Sequence, residues 1–392
     1  MSKALKIGLI RKGSDSWIGG LEYIKNLALA TRAAAVQAGQ EAELALLSSE
    51  QVPSTLAGFP GESLRRIPVL TDIPPVRFGR VRRLFSAGKH DRPLDRAVRA
   101  ERFDFVYPID ALARSIPCRR AAWIPDLQHR VLPAYSTPAE LEARENWIAS
   151  MMADAPTLVF SSLTSRRDFE AHYDSSAHDL RVLRFRISLP DGLFSDAPGP
   201  VVAKYSLPRR FLLVSNQFWQ HKNHLLLLEA MAVARTELPD LMVAMTGAME
   251  DYRNPAYVAG VTTRIDELQL RPHLRLLGLI PKRDQLQLLR ACRAVVQPSL
   301  FEGWNTVVEE SRCLGKLILL SDLPVHREQD APLSRYFDPT DADALARLII
   351  EAWSETATSE DEAKAVAAYA DLFRQFGRDF LEIAHSSGGA RA

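Results

Sequence analysis

The sequence predicts the α/β class, with two domains that each wrap helices around a parallel sheet. Three observations carry that expectation. Residues 1–200 alternate short apolar runs with helix-period segments, the form of a parallel sheet covered by helices. The Pro190 to Pro208 stretch, rich in Pro, Gly, Ser and Asp, then breaks the pattern as an interdomain linker does, and the alternation resumes at Phe211. At 392 residues the chain is long for one core and natural for two.

Composition narrows the classes. Hydrophobic residues at 47% and charged ones at 25% describe an ordinary globular protein. A net charge of +1 lacks the basic excess of a nucleic-acid binder. Cys118, Cys292 and Cys313 are widely spaced, each in or beside an apolar run, which predicts buried free thiols in a reducing compartment. The N-terminus enters a strand at once, predicting no signal peptide, and no run reaches the roughly 18 apolar residues of a membrane span. The expected location is the cytoplasm.

In chain order, Leu5 to Ile10 forms the first strand. It feeds a glycine loop, Gly13 to Gly20, and then a helix from Leu21 to Ala38 closed by Gly39. Open α/β sheets bind ligands at such strand ends, which makes Gly19 and Gly20 candidates. The loop is not G-x-G-x-x-G, so no dinucleotide cofactor is expected. Later strands are read at Glu43 to Leu47, Phe103 to Tyr107, Ala121 to Ile124, Thr157 to Phe160 and Arg181 to Phe185, with helices at Pro138 to Ala153 and Ser165 to His172. Between Gly61 and Arg102 the pattern weakens and basic residues accumulate. Within the 77–102 region, Arg77 to Phe85 alternates cations with bulky apolar groups, which suits either an anionic membrane surface or an ordinary packed surface helix.

Past the strand ending at Ile124 comes Pro125-Asp126-Leu127-Gln128-His129, a proline-stiffened loop in which His129 either meets a substrate or serves as a satisfied structural residue, and Asp126 holds the loop. The second domain opens with the strand Phe211 to Val214, a loop containing Asn216 and Lys222, and a helix from Leu225 to Glu237. Lys222 stands just before the positive end of that helix, which fits either an anion lying between them or an ordinary solvated loop lysine. Strands at Leu241 to Thr246 and Leu274 to Leu277 and a helix from Arg283 to Cys292 follow. Ala294 to Val296 then leads into the loop Ser299 to Thr306.

That loop and the helix after it form the central element. Small, polar and glycine residues leave backbone N–H groups free, and the helix dipole adds positive potential. Thr306 and Glu309 read as a T-x-x-E capping box, with Gly315 as C-cap before the strand Leu317 to Leu320. Glu302 and Glu310, with seven residues between them, are suited to hold a polyhydroxylated ligand at two points. Asp341 and Asp343 read as helix caps for Ala344 to Trp353 rather than as metal ligands, and no metal site is expected. Two last helices are read at Glu360 to Ala370 and Leu372 to His385, followed by a disordered tail.

The Glu302 to Glu310 stretch resembles the E-x7-E signature of retaining glycosyltransferases of the GT-B fold, family 4, in which two Rossmann-like domains face each other across a cleft. The resemblance implies an N-terminal acceptor domain at 1–200, a C-terminal nucleotide-sugar domain at 201–370, and a final helix at 371–392 that crosses back. It implies that Glu302 contacts the donor sugar and Glu310 the ribose, that His129 approaches the sugar, and that Lys222 grips the diphosphate. Gly19 and Gly20 would face donor phosphates and acceptor, while the backbone of Gly303, Trp304, Asn305 and Thr306 would line the anion site. Asn305 replaces the family's second glycine, and Asn216 stands where an Arg is usual. The implied activity is a hexosyltransferase-type, metal-independent transfer from a nucleoside-diphosphate sugar to a glycan or lipid-linked acceptor in polysaccharide biosynthesis, with no cofactor and no nucleic acid. An epimerase on the same fold and a non-catalytic nucleotide-sugar-binding protein are the competing readings.

Overall fold

The computed structural model describes residues 4–12, 18–48, 65–68, 93–109, 116–355 and 359–387. In the first domain the strands are β1 (Leu5–Ile10), β2 (Ala42–Ser48), β3 (Arg65–Pro68), β4 (Phe105–Ile109), β5 (Arg119–Ile124), β6 (Thr157–Phe160) and β7 (Asp179–Val182). Around them lie α1 (Ile18–Gln37), α2 (Pro93–Glu101), α3 (Gln128–Val131), α4 (Pro138–Asp154) and α5 (Leu163–His172). All pairings are parallel, in the order β3-β2-β1-β4-β5-β6-β7.

The second domain repeats the plan with β8 (Leu212–Ser215), β9 (Val243–Thr246), β10 (Leu274–Gly278), β11 (Val295–Gln297), β12 (Ile318–Ser321) and β13 (Ser334–Phe337). Its helices are α6 (Gly199–Lys204), α7 (His224–Ala234), α8 (Pro255–Glu267), α9 (Lys282–Ala291), α10 (Thr306–Cys313), α11 (Pro324–Gln329) and α12 (Ala342–Trp353), and α13 (Ser359–Ser386) closes the chain. The parallel order is β10-β9-β8-β11-β12-β13. The strand order reverses between β1 and β4 and between β8 and β11, and open sheets place their ligand crevices at such switch points, beyond the strands' C-terminal ends.

Each sheet is buried on both faces, which is why its strands read as continuous apolar runs. Ile7, Phe105 and Tyr107 lie on one face of the first sheet and Val106, Ile124 and Phe160 on the other, all fully buried. Leu193 and Leu207 belong to the second domain's core, so most of the Pro190 to Pro208 stretch is folded onto that domain, with α6 inside it. Cys292 and Cys313 are buried and Cys118 half-buried, all as free thiols.

Two expectations need correction. The chain end forms one helix of 28 residues rather than two, because its apolar stripe continues across both domains. Val366 packs on the second core, and Tyr369, Phe376 and Phe380 enter the first. Gly377 permits the crossing, since a Cβ there would lie 2.0 Å from the Ala30 carbonyl oxygen of α1. The second correction concerns α10, whose N-cap is Asn305 and not Thr306. The Asn305 Oδ1 accepts from Val307 N and Val308 N at 3.0 and 3.3 Å, so the T-x-x-E box does not form. The basic segment Arg77 to Phe85 lies outside the described residues, but the region's far end, α2, is a surface helix that buries Val98 while Arg96 and Arg99 stay exposed. Among the described residues no helix is long and apolar enough to cross a membrane.

Candidate functional site

A cleft of about 470 Å³ lies between the C-terminal edges of the two sheets, within the usual size range of small-ligand sites. It brings together Gly19, Asn216, Lys222, Glu302, Gly303, Trp304, Asn305, Thr306 and Glu310. These residues come from the loops after β8 and β11, from the first turn of α1 and from the first two turns of α10, the positions that a doubly wound sheet leaves facing a ligand.

The loop after β11 reaches the first domain because residue 303 has no side chain. A Cβ on Gly303 would come within 2.6 Å of the Pro125 carbonyl oxygen and 2.7 Å of Asp126 Cβ. Trp304 holds the loop from its other side, donating from Nε1 to the Phe185 carbonyl at 2.8 Å. Asn305 then caps α10 and donates from Nδ2 to Gln297 Oε1 and Glu302 Oε1, both at 3.1 Å. One side chain therefore ends the loop, starts the helix and fixes Glu302.

Glu302 Oε1 also accepts from Lys222 Nζ at 2.6 Å and from Ser299 Oγ at 2.7 Å. All three donors fall on this one oxygen. Lys222 owes its place to a short turn in which Asn223 adopts φ 58° and donates from Nδ2 to the Pro298 and Pro339 carbonyls. Asparagine tolerates that left-handed backbone better than most residues. Leu300 N donates to the His221 carbonyl at 2.8 Å, tying the Lys222 turn directly to the Glu302 loop.

Glu310 is almost fully buried and carries partners on both oxygens: Lys282 Nζ on Oε1, and Gln285 Nε2 on Oε2 at 2.7 Å. The sequence reading missed Lys282 and Gln285. Their signal was present in the grammar used elsewhere, a strand, a glycine turn and a basic residue opening a helix. Glu309, assigned above to a cap, is fully buried and faces away from the cleft. It accepts from Arg186 Nη1 at 2.7 Å, Tyr369 OH at 3.0 Å and Gln329 Nε2 at 3.1 Å.

Two candidates do not line the cleft. Gly20 is buried within α1, one position past Gly19. His129 follows Gln128 in the single turn of α3, and a step of about 100° turns it away from the cavity that Gln128 lines. Its Nε2 donates to Glu145 Oε1 at 2.9 Å, and Tyr173 OH and Arg130 complete the cluster around that carboxylate. Burial lowers the His129 pKa, and the Glu145 charge opposes the shift only in part. The Asp126 side chain holds the loop, with Oδ1 accepting from Gln128 N at 3.0 Å.

Asn216 is buried against Gly247, where a Cβ would sit 1.9 Å from the Asn216 carbonyl oxygen, and its Nδ2 has no partner among the described residues. An arginine does stand beside the cleft. Arg253 packs over the Trp219 ring at 5.1 Å and donates from Nη1 to Gln128 Oε1 at 3.3 Å, joining the two domains. Asp341 caps α12 by accepting from Ala344 N at 2.8 Å, and among the described residues no group of three or more His, Cys, Asp or Glu is arranged to hold a metal.

Residues 203–370 match the family model of glycosyl transferases group 1. The O-antigen chain mannosyltransferase B of Escherichia coli is 30% identical over 97 residues, which are 24% of this chain and 26% of that protein, so the chain spans about a quarter of that curated relative. Among solved structures, a glycosyltransferase from Rickettsia africae superposes with a TM-score of 0.67 at 16% identity, covering 97% of this chain and 98% of the other. Alr3699/HepE of Anabaena, in complex with UDP and glucose, gives 0.65 at 16% identity over 97% and 100%. The chain thus has the two-domain GT-B fold, and its similarity to glycosyl transferases group 1 is confined to residues 203–370.

Proposed function

We propose that this protein is a glycosyltransferase of family 4 that moves a sugar from a nucleoside-diphosphate sugar to an acceptor hydroxyl, with retention and without a metal ion, in glycan or polysaccharide synthesis. The observation that carries this reading is the cluster of Lys222, Glu302 and Asn305 at the N-terminus of α10, opposite a first-domain wall. The family match over residues 203–370 and the mannosyltransferase relative support it.

In this reading the diphosphate lies against the α10 N-terminus, where the helix dipole, the 303–306 amides and Lys222 stabilise the charge that grows as the bond to the sugar breaks. Glu302, its Oε1 held by three donors, orients sugar hydroxyls, and Glu310 accepts from the ribose. The C1–O bond to phosphate breaks, the acceptor oxygen bonds C1 on the same face, and the acceptor proton passes to the departing phosphate oxygen. Asn216 gives the diphosphate a neutral N–H donor in place of a cation. His129 acts from behind, fixing the loop that carries Gln128.

The test is incubation of the purified protein with UDP-, GDP-, ADP- and CDP-sugars, with and without glycoside acceptors and with EDTA. Transfer that needs an acceptor, survives EDTA and keeps the anomeric configuration by NMR is expected. Conversion without acceptor would replace transfer with epimerisation, and nucleotide binding without turnover would leave a binding protein.

A further inference from the structure

The cleft is divided by charge. Its second-domain wall carries Lys222, Lys282 and the α10 N-terminus, whereas the first-domain residues lining it include no lysine or arginine among the described residues. That half is built from the rings of Tyr23, Trp123 and Phe185, the carboxylates of Glu22 and Asp126, and the amide of Gln128.

The rings form a fixed surface. Tyr23 and Trp123 stack with centroids 4.0 Å apart and 9° between planes, and Phe185 packs 5.7 Å from Tyr23. Their polar ends are satisfied inside the protein, Tyr23 OH with Tyr107 OH at 2.6 Å and Trp123 Nε1 with Ser161 Oγ at 3.0 Å. Gln128 is nine-tenths buried, its Oε1 is held by Arg253 Nη1, and its Nε2 has no partner among the described residues, so the amide offers a donor. Glu22 Oε2 accepts from Asn26 Nδ2 at a long 3.5 Å and lies 3.8 Å from Lys25 Nζ, one turn along α1, and the side chain stays partly exposed.

We infer that the acceptor is an uncharged saccharide, and that sugars bearing a phosphate or carboxylate near the reacting hydroxyl are rejected. This rests on the glycosyl-transfer reading above. Carboxylates accept hydrogen bonds from hydroxyl groups and the amide donates to a ring or hydroxyl oxygen, while the buried rings of Tyr23, Trp123 and Phe185 back the wall and hold it rigid. The same carboxylates repel an anion, and among the described residues that line this wall there is no lysine or arginine to offset them.

The experiment uses whichever nucleotide sugar the wild-type protein binds best. Acceptors are methyl α-mannoside and methyl α-glucoside against mannose 6-phosphate, glucose 6-phosphate and methyl glucuronide, read by nucleotide release and by saturation-transfer NMR with the nucleotide present. The neutral glycosides should have at least a tenfold advantage in kcat/KM and bind detectably. Glu22→Lys should shrink that advantage several-fold and Glu22→Gln less, with nucleotide affinity unchanged as the check on folding. Equal use of the charged sugars, no binding of any neutral glycoside, or an unchanged ratio in both variants overturns the assignment. A wild-type protein that binds no nucleoside diphosphate overturns the glycosyl-transfer reading itself, which separates the two failures.

Discussion

Lys222 and Glu302 form an ion pair of 2.6 Å in the wall of the cleft, with the Lys222 side chain 13% and the Glu302 side chain 8% exposed. A cation and an anion this enclosed hold each other in place until a ligand with its own negative charge arrives. A diphosphate beside Lys222 would share the ammonium and leave Glu302 free to turn toward hydroxyl groups. Lys222→Ala should therefore lower turnover by roughly a hundred- to a thousand-fold, the usual effect of removing one preorganised contact to developing charge. A loss of only two- or three-fold in kcat would mean that Lys222 serves the fold and not the reaction.

Glu310 already accepts from Lys282 and Gln285, one donor on each oxygen, so a ribose hydroxyl joins or displaces one of them. Lys282 is the mobile partner, because its side chain is 44% exposed. Glu310→Gln should weaken nucleotide binding by about 1.5 to 3 kcal/mol, the range for hydrogen bonds to a charged group. Lys282→Met should leave affinity equal or raise it. Calorimetry with UDP, GDP, ADP and CDP measures both, and a Glu310→Gln protein with wild-type affinity would remove that residue from the nucleotide site.

These two pairs show which parts of the molecule could be read from the chain. Strand, loop and helix units such as Val295 to Cys313 are written locally, in apolar runs, small residues and a Gly315 that adopts φ 59°. Lys222 and Glu302 could be named because each belongs to such a unit. Their contact with each other spans 80 residues, and no local rule records it. Glu309 was misread for the same reason, since an acidic residue in a first helical turn looks like a cap until a partner 123 residues away is known. His129 lies one step of a helical turn from the residue that lines the cavity, an angle that loop sequence does not fix. The single span of α13 depends on a two-domain surface that exists only after folding.

The Glu309 contact carries its own prediction. Arg186, 11% exposed, and the fully buried Glu309 join the segment after β7 to α10, and Tyr369 of α13 shares the same carboxylate oxygen. Removing Arg186 leaves the buried Glu309 carboxylate with Arg312 Nε, at the longer distance of 3.9 Å, as its cation among the described residues. Arg186→Met should cost about 3 to 5 kcal/mol, and adding Glu309→Gln should restore most of the loss. Thermal unfolding of the two singles and the double decides it. A double variant as unstable as the sum of the singles would show that the pair is not coupled.

The last prediction concerns acid. His224 opens α7 behind Lys222, fully buried and stacked on Phe218 with ring centroids 4.4 Å apart, and neither ring nitrogen has a partner among the described residues. Burial, reinforced by the nearby Lys222 charge, lowers its pKa from 6.5 to about 3. Because the folded value lies below the unfolded one, the unfolded chain takes up the proton first as the pH falls. The stability tied to neutral His224 is therefore whole above pH 6.5 and is lost progressively as the pH drops toward about 3, at about 1.4 kcal/mol per pH unit. Buried His221 is shifted in the same direction by burial first and then by Lys222 and Arg253, so it adds to the slope. His224→Leu should fold, keep the packing on Phe218, and flatten the fall in Tm below pH 6.5 relative to wild type. Carboxylates titrate in both proteins, so the difference between the two curves isolates the histidine. Parallel curves from pH 6.5 to 4 would mean that the Lys222 turn opens to admit the proton, and that the burial of His224 places no limit on acid stability.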